Sequence, residues 1–339
     1  MSQSDADENV TRDRLGTDTG VVGRSLSLPY IVFAVVVLYA WYFARLRYAL
    51  NAEFPLATLQ ALADGTAYKP FQFRALVPWI AGWVSSMGLC DLKTAYMAIE
   101  GVSVVWLFYA LRYLLRDYAS GWAREGLPFL GLYALPWNYI LPRDIPIIVP
   151  SDIVAVALFT LGLALLRERR WVWFYPVFLI GTLNRETMIF LLIIFVLVEW
   201  QRMAKRQLAV HAGIMIILWG GVKVLMNALY GGNPGETIEI YHVGSQVTHL
   251  STNLEMLVSP ARLLVILSSF GFLWVPVLFF YRRIPDRFAR RALWVVPLYV
   301  IMIILIGNMN EVRVWGEMLA LVVLGLLAGF SSTGVDQSA

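Results

Sequence analysis

Arginine and acidic residues stand beside prolines and aromatic residues in several short segments of this 339-residue chain. In KPFQFRALVP (69–78), two prolines and two phenylalanines frame Arg74. A planar guanidinium in such a crowded, apolar setting can bind a phosphate through two parallel hydrogen bonds. The alternative is an arginine that reaches from a helix end to lipid headgroups. We favour phosphate binding, because a plain anchor does not need these neighbours.

The segment LNRET (183–187) places Arg185 and Glu186 between two short hydrophobic stretches. Ionisable residues in that position are costly and usually face a cavity or a partner. Neighbouring helical positions point about 100° apart, so these two side chains need not pair with each other. Contact with a ligand and a buried ion pair with another helix are equal alternatives here.

A third arginine lies in GNMNEVRVWGE (307–317). Arg313 and Glu317 are four residues apart, so they can pair on one helix face, with Glu311 outside that pair. Arg313 at the mouth of a helix can equally neutralise a phosphate. Both interpretations are kept.

Acidic residues occupy two further segments. Three prolines in LPRDIPIIVPSD (141–152) predict an irregular, extended stretch. Within it, Asp144 is a candidate for ligand contact, whereas Asp152 is expected to cap the next helix together with Ser151. Glu53, in Asn-Ala-Glu, can act as a general base or help to hold a divalent metal, although solvent exposure is the simpler interpretation.

The loop 230–261 contains His242 and His249, seven residues apart and without a carboxylate cluster, which is a poor metal site. We expect this loop to contact a substrate or to be solvated. The nucleotide-binding and hydrolase motifs GxxxxGK[ST], GxGxxG, HExxH and GxSxG do not occur. The single cysteine, Cys90, excludes a disulfide within the chain. No cofactor is predicted, and the need for a divalent metal stays open.

These segments must be positioned by an unusually apolar chain. Hydrophobic residues make up 59% and charged residues 15%, whereas soluble proteins have about 45–50% and about 25%. Lipid as solvent explains the excess, and a net charge of +4 gives no case for nucleic acid as a partner.

Apolar segments that suit helices alternate with short polar ones along most of the chain. They lie near 26–45, 94–115, 127–142, 152–166, 171–183, 187–200, 208–229, 262–281, 292–307 and 314–330, with a short one at 75–88. Because every backbone polar group in lipid must be satisfied internally, spans are expected to be helices. The prediction is an all-α, polytopic transmembrane helical bundle of about 9–11 membrane helices, including short re-entrant or interfacial ones.

The basic residues orient the bundle, because cytoplasmic loops carry an excess of Lys and Arg. Four Arg/Lys clusters (112–124, 167–170, 202–206 and 282–291) and the N-terminal tail hold 17 of the 27 basic residues, and these loops hold little else. This predicts a disordered cytoplasmic tail (1–24), one transmembrane domain (25–330) and a short cytoplasmic tail (331–339). The outer-face loops are then 46–93, 143–151, 230–261 and 307–313. The composition indicates a bacterial inner membrane with the N-terminus in the cytoplasm.

In layout, the chain resembles the GT-C superfamily of integral-membrane glycosyltransferases, which use sugars linked to lipid phosphates. An acid-bearing outer loop follows the first span, a short outer helix carries the proline-framed arginine of FQFRALVP, and Arg and acids recur in PRD, NRET and NEVR. The loop reads Asn-Ala-Glu where many members have Asp or Asp-x-Asp, and a large soluble outer domain is missing.

The resemblance implies a lipid-linked sugar as donor and a glycan, lipid or protein as acceptor. It makes Glu53 the candidate base and Arg74, Arg185 and Arg313 the candidate phosphate ligands. The full set of candidates is Glu53 and Asp144 as catalytic residues, and Arg74, Arg185, Glu186, Glu311, Arg313 and His242 as substrate-binding residues.

Three other functions compete with transfer. A transporter or flippase of lipid-linked sugars needs charges near the midplane and inverted repeats, and no repeat is visible. A polysaccharide polymerase or ligase uses the same lipid carriers. A non-catalytic membrane scaffold makes every arginine an anchor to membrane lipids or an ion-pair partner. The oligomeric state is left open.

Overall fold

In the computed structural model, the described residues are 19–141, 145–242 and 245–330. The chain divides into two compact units, one ending at Tyr39 and the other beginning at Ala40. The described residues of the first unit are the N-terminal part of one helix, which begins at Thr19, within the stretch 1–24 that was expected to be a tail. The second unit contains every other element and all the residues of the candidate site.

The described chain is helical almost throughout, which confirms the all-α prediction. The helices are α1 (Thr19–Leu50), α2 (Leu59–Ala63), α3 (Leu76–Ser86), α4 (Leu92–Leu114), α5 (Gly121–Gly126), α6 (Phe129–Tyr139), α7 (Ser151–Arg167), α8 (Trp171–Asn184), α9 (Ile189–Glu199), α10 (Lys205–Tyr230), α11 (His249–Val258), α12 (Pro260–Leu267), α13 (Trp274–Phe280), α14 (Arg287–Ala292), α15 (Val295–Ile306) and α16 (Leu319–Phe330). Short 3₁₀ turns cover Phe71–Phe73, Glu186–Met188, Ser269–Phe272, Tyr281–Arg283 and Val312–Met318. Strands β1 (Ala52–Glu53) and β2 (Ile147–Ile148) pair in parallel and tie the loop after α1 to the segment before α7.

Several helices are long and apolar enough to cross a membrane, so the protein is a transmembrane helical bundle. Among the described residues there are five: Leu28–Leu50, Leu92–Leu114, Lys205–Tyr230, Arg287–Ile306 and Val312–Phe330. Helices α11 and α12, which meet at a bend of 99°, would make a sixth if counted as one span. The expected 9–11 also counted short membrane helices, and the apolar segments near 127–142, 171–183 and 187–200 form helices of only 11, 14 and 11 residues.

Two predicted segments differ in length from a span. The segment 75–88 contains α3, whose 11 residues cover roughly 17 Å, about half of a hydrocarbon core. It therefore cannot cross alone, which fits a re-entrant or interfacial helix. The predicted span 262–281 is broken into α12 and α13 at Gly271, whose φ of +60° interrupts the helix.

The burial of each helix follows its hydrophobic pattern. Helix α7 is apolar on all sides, and 15 of its 17 residues are buried, as expected for a helix at the centre of a bundle. Helix α10 buries only Leu208, Met215, Val222 and Met226, a narrow stripe, and presents the rest of its apolar surface outward. The first turn of α7 thus brings Asp152 into the centre of the fold, and α10 forms an outer wall.

The opposite end of α7 carries a separate set of ion pairs. Arg167 lies 3.2 Å from Asp286, Arg116 lies 2.6 Å from Glu168, and Arg112 pairs with Glu125. The expectation that these loops hold little besides basic residues was therefore wrong. At this end of α7, each of these arginines is paired with an acidic residue that lies 13 or more positions away in the sequence.

Candidate functional site

Asp152 stands in the first turn of α7 and is completely buried. Its Oδ2 accepts a hydrogen bond from Arg47 (2.9 Å), and its Oδ1 accepts from Arg185 (3.0 Å) and Arg313 (3.2 Å). These arginines come from the end of α1, the end of α8 and the 3₁₀ turn before α16. The expected helix cap was wrong, because Pro150 is the N-cap and makes no side-chain cap bond. Asp152 instead joins three distant parts of the chain.

Each of the three arginines also has a second acidic partner. The pairs are Arg47 with Glu100 (2.5 Å), Arg185 with Glu317 (3.0 Å) and Arg313 with Glu311. We call these seven residues the Asp152 cluster. Opposite charges alternate through it, which is the arrangement that buried charges require.

The expected pair between Arg313 and Glu317 does not form. Residues 312–318 are a 3₁₀ turn, in which three residues make one turn, so positions four apart no longer share a face. Arg313 turns to Glu311 and Asp152, and Glu317 turns to Arg185. Arg185 therefore forms a buried ion pair with another helix, which was one of the two alternatives predicted for it.

Arg74 is buried without the same degree of pairing. Its side chain is 11% exposed, and its nearest acid is Glu186, with 3.8 Å between Nη2 and Oε1. Within the described chain, its Nε and Nη1 have no hydrogen-bond partner. The guanidinium also lies over the ring of Phe71, 5.1 Å from the centroid. Arg74 thus keeps free donors at a buried position.

These donors line a cavity of about 770 Å³, which we call the main cavity. Its charged lining residues are Arg74, Arg185, Glu186, Lys223, Glu239, Glu311 and Arg313. Much of the remaining wall is apolar and includes Phe73, Phe190, Val224, Met302 and Ile306. A volume of this size suits a small ligand or part of a larger one, with a charged group near the arginines and an apolar portion against the remaining wall.

A loop that follows α10 completes the cavity and is fastened to the segment before α3. The Lys69 amide donates to the Pro234 carbonyl (2.9 Å), and Asn233 Nδ2 donates to the carbonyls of Gly65 and Ala67 (2.9 Å each). Gly235 has a φ of +95°, and a Cβ there would come within 2.7 Å of the Lys69 carbonyl, so the close approach requires glycine. The attachment holds the chain leading to Glu239 beside the Arg74 segment.

The structure brings together five of the six predicted substrate-binding residues. Arg74, Arg185, Glu186, Glu311 and Arg313 all line the main cavity. His242 does not. It lies in a neighbouring pocket of about 480 Å³, where its Nε2 is 2.9 Å from Thr252 Oγ1.

Of the two predicted catalytic carboxylates, Glu53 is not among the described residues that line the main cavity. Glu53 is exposed, and its Oε2 accepts a hydrogen bond from the Leu59 amide (2.9 Å) at the start of α2. Asp144 lies outside the described residues. The carboxylates beside Arg74 are instead Glu186 and Glu239.

Several site residues were missed in the sequence, although two of them carried a signal. Glu100 and Lys223 lie inside predicted spans, where an ionisable residue marks a functional site or a partner. Arg47 follows an apolar segment and resembles an anchoring arginine, so nothing local distinguishes it. Asp152 was assigned to a cap, and Glu239 sits in a loop of ordinary composition.

In the part of the chain that the structure describes, no group of three or more His, Cys, Asp or Glu side chains is placed to hold a metal ion. Comparisons with protein-family models, curated proteins and solved structures gave no significant match. The functional interpretation therefore rests on the chemistry of the main cavity and its neighbours.

Proposed function

We propose that this protein is a membrane glycosyltransferase of GT-C type, which moves a sugar from a polyprenyl-phosphate donor to an acceptor at the extracytoplasmic face. The observation that carries the proposal is Arg74, whose buried Nε and Nη1 have no hydrogen-bond partner in the described chain and which lines a cavity with a largely apolar wall. Such a cavity matches a ligand with an anionic phosphate and a hydrocarbon chain. The proposal takes the orientation predicted from the basic loops, with the site on the outer side of a bacterial inner membrane and the N-terminus in the cytoplasm.

The reaction follows from this arrangement. The acceptor oxygen forms a bond to the anomeric carbon, and the bond from that carbon to the phosphate oxygen breaks. The electron pair stays on the phosphate, and donors aimed at the developing charge lower the barrier. Among the described residues, the Nε and Nη1 atoms of Arg74 have no hydrogen-bond partner, and Arg313 and Lys223 add positive charge to the same cavity. A nucleotide is not required, in keeping with the absence of nucleotide-binding motifs.

A flippase of the same lipid is the second candidate, since Arg47 and Glu100 lie within candidate spans and are completely buried. A scaffold is less well supported, because it gives no reason for a buried arginine with free donors.

The test measures binding of decaprenyl phosphate to the protein in nanodiscs, through the fluorescence of tryptophans such as Trp219 in the cavity wall. We expect Arg74→Ala to weaken binding roughly 10- to 100-fold, the effect of one charge-assisted hydrogen-bonding group. Arg262→Ala, at an exposed position on α12, is the matched control. Equal binding by the wild type and Arg74→Ala would overturn the phosphate assignment.

A second measurement separates transferase from flippase. Decaprenyl-phosphate donors carrying tritiated hexoses and pentoses are supplied with native membranes as the acceptor. A transferase releases decaprenyl phosphate and labels a new product. A flippase binds the donor and returns it unchanged.

A further inference from the structure

Glu239 lies between two spaces. It lines the main cavity, and it also lines the pocket of about 480 Å³ that contains His242, which we call the outer pocket. Among the lining residues of these two spaces, Glu239 is the member they share. A group bound in the outer pocket would therefore meet the contents of the main cavity at this carboxylate.

The outer pocket differs in chemistry from the main cavity. Besides Glu239, its lining residues are Tyr68, Glu236, Tyr241, His242, Ser245 and Gln246. Each of them carries a group that forms hydrogen bonds, and the two tyrosines add aromatic rings. An acyl or prenyl chain would gain little there, whereas a polyhydroxyl compound such as a saccharide finds both hydrogen-bond partners and ring faces.

The carboxylate of Glu239 has an oxygen atom that is available to a ligand. Its Oε1 is buried and, among the described residues, has no hydrogen-bond partner. Arg74 and Arg313 act on it electrostatically from the main cavity, and Glu236 does so from its own loop. Burial raises the pKa of this carboxyl to about 7, so it can take up a proton near neutral pH.

We propose that the outer pocket is the acceptor subsite, that it takes a saccharide, and that Glu239 is the general base that deprotonates the acceptor hydroxyl. This assignment rests on the proposed glycosyl transfer. As the acceptor oxygen bonds to the anomeric carbon, its proton moves to Glu239, and the polyprenyl phosphate leaves as an anion beside Arg74. The proton then passes from Glu239 to water, which restores the carboxylate.

The position of Glu239 is fixed by the backbone around it. The Tyr241 and Thr248 backbones form a bridge, and the His249 amide donates to the Ile240 carbonyl (3.0 Å). On the other side, Gly235 and Lys69 form a backbone bridge, in which the Lys69 amide donates to the Pro234 carbonyl. The carboxylate therefore stands on a short stretch that is held at both ends.

The experiment compares Glu239→Gln with the wild type in the nanodisc transfer assay and in the decaprenyl phosphate binding assay. We expect the turnover rate to fall about 10²- to 10⁴-fold, the usual contribution of a general base, while decaprenyl phosphate binds at least as tightly as before. Retained binding also shows that the variant is folded. Glu255→Gln, at an exposed position on α11, is the matched control.

A second variant tests the pocket itself. Tyr241→Ala is expected to raise the KM for the acceptor severalfold with a smaller change in turnover rate. The reason is that the Tyr241 side chain lines the outer pocket and is exposed enough (48%) to contact a bound saccharide.

The outcomes separate this inference from the proposed function. Transfer by Glu239→Gln within a few-fold of the wild type would overturn the role of Glu239, and an unchanged KM in Tyr241→Ala would overturn the subsite. Absence of transfer by the wild type with every donor would overturn the glycosyl transfer on which both depend.

Discussion

The Asp152 cluster and the Arg74 side of the main cavity use the same residue types in opposite ways. In the cluster, three arginines meet four acids, and each arginine contacts two of them. Beside the cavity, Arg74 has one acid at 3.8 Å, and among the described residues two of its nitrogen atoms have no hydrogen-bond partner, against one (Nε) in each cluster arginine. A buried charge without a partner is costly, so the cluster keeps its charges paired, whereas Arg74 has donors left for a ligand.

Arg185 and Arg313 belong to both regions, because they bind Asp152 and also line the main cavity. Their positions are therefore fixed before any ligand arrives. A preorganised positive wall of this kind needs no rearrangement when charge develops on a bound phosphate. The cluster thus acts as the frame for the cavity.

The largest expected effect concerns the frame. Asp152→Ala leaves three buried guanidinium groups without their shared partner, and removing one member of a buried ion pair costs about 3–5 kcal/mol. We expect a large fall in the thermal unfolding midpoint in detergent. Asp64→Ala, an exposed position, should stay within about 0.5 kcal/mol of the wild type. Equal midpoints for both variants would mean that the cluster does not stabilise the fold.

A smaller effect is expected at the main cavity, where removal of an acid should strengthen ligand binding. Glu186 is the acid closest to Arg74, and its negative charge opposes a bound phosphate. Although burial opposes ionisation, Arg74 and Lys223 lower the pKa of Glu186, so it is charged at neutral pH. We expect Glu186→Gln to tighten decaprenyl phosphate binding by about 10-fold or less in the nanodisc assay. Weaker binding would show that Glu186 holds Arg74 in place.

The pH dependence of transfer sharpens the contrast further. Because a general base acts only when deprotonated, transfer should rise as the pH passes about 7 and level off above it. Glu236 raises the pKa of Glu239, so Glu236→Gln should move the midpoint of the rise to lower pH. The other charged groups that act on Glu239 are Arg74, Glu311 and Arg313, and the titratable neighbours in the outer pocket are Tyr68, Tyr241 and His242. A rise that persists in Glu239→Gln would assign it to one of these neighbours.

The sequence was most informative where a local signal was strong. Arg74 in FQFR and Arg185 in NRET stood out because charge beside apolar runs is rare, and both line the main cavity. The predicted helical character followed from the apolar runs. The number of full spans did not, since a short buried helix such as α9 and a true span have the same composition.

The ion-pair partners of these residues could not be predicted, because the members of each pair are far apart in the sequence. Arg47 and Glu100 are separated by 53 positions, and Asp152 and Arg313 by 161. Local spacing instead favoured a cap for Asp152 and a pair between Arg313 and Glu317, and both were wrong. Tertiary contacts decided the outcome at these positions, together with a 3₁₀ turn that changed which side chains share a face.

The smallest expected effect is at Glu53, the residue that the family resemblance favours as the base. Its carboxylate is exposed and accepts a hydrogen bond from the Leu59 amide, a contact that glutamine can keep. We expect Glu53→Gln to change the free energy of unfolding by about 0.5 kcal/mol or less and transfer by about twofold or less. A loss about as large as that of Glu239→Gln would transfer the role of base to Glu53, and would mean that the loop after α1 moves towards the main cavity during the reaction.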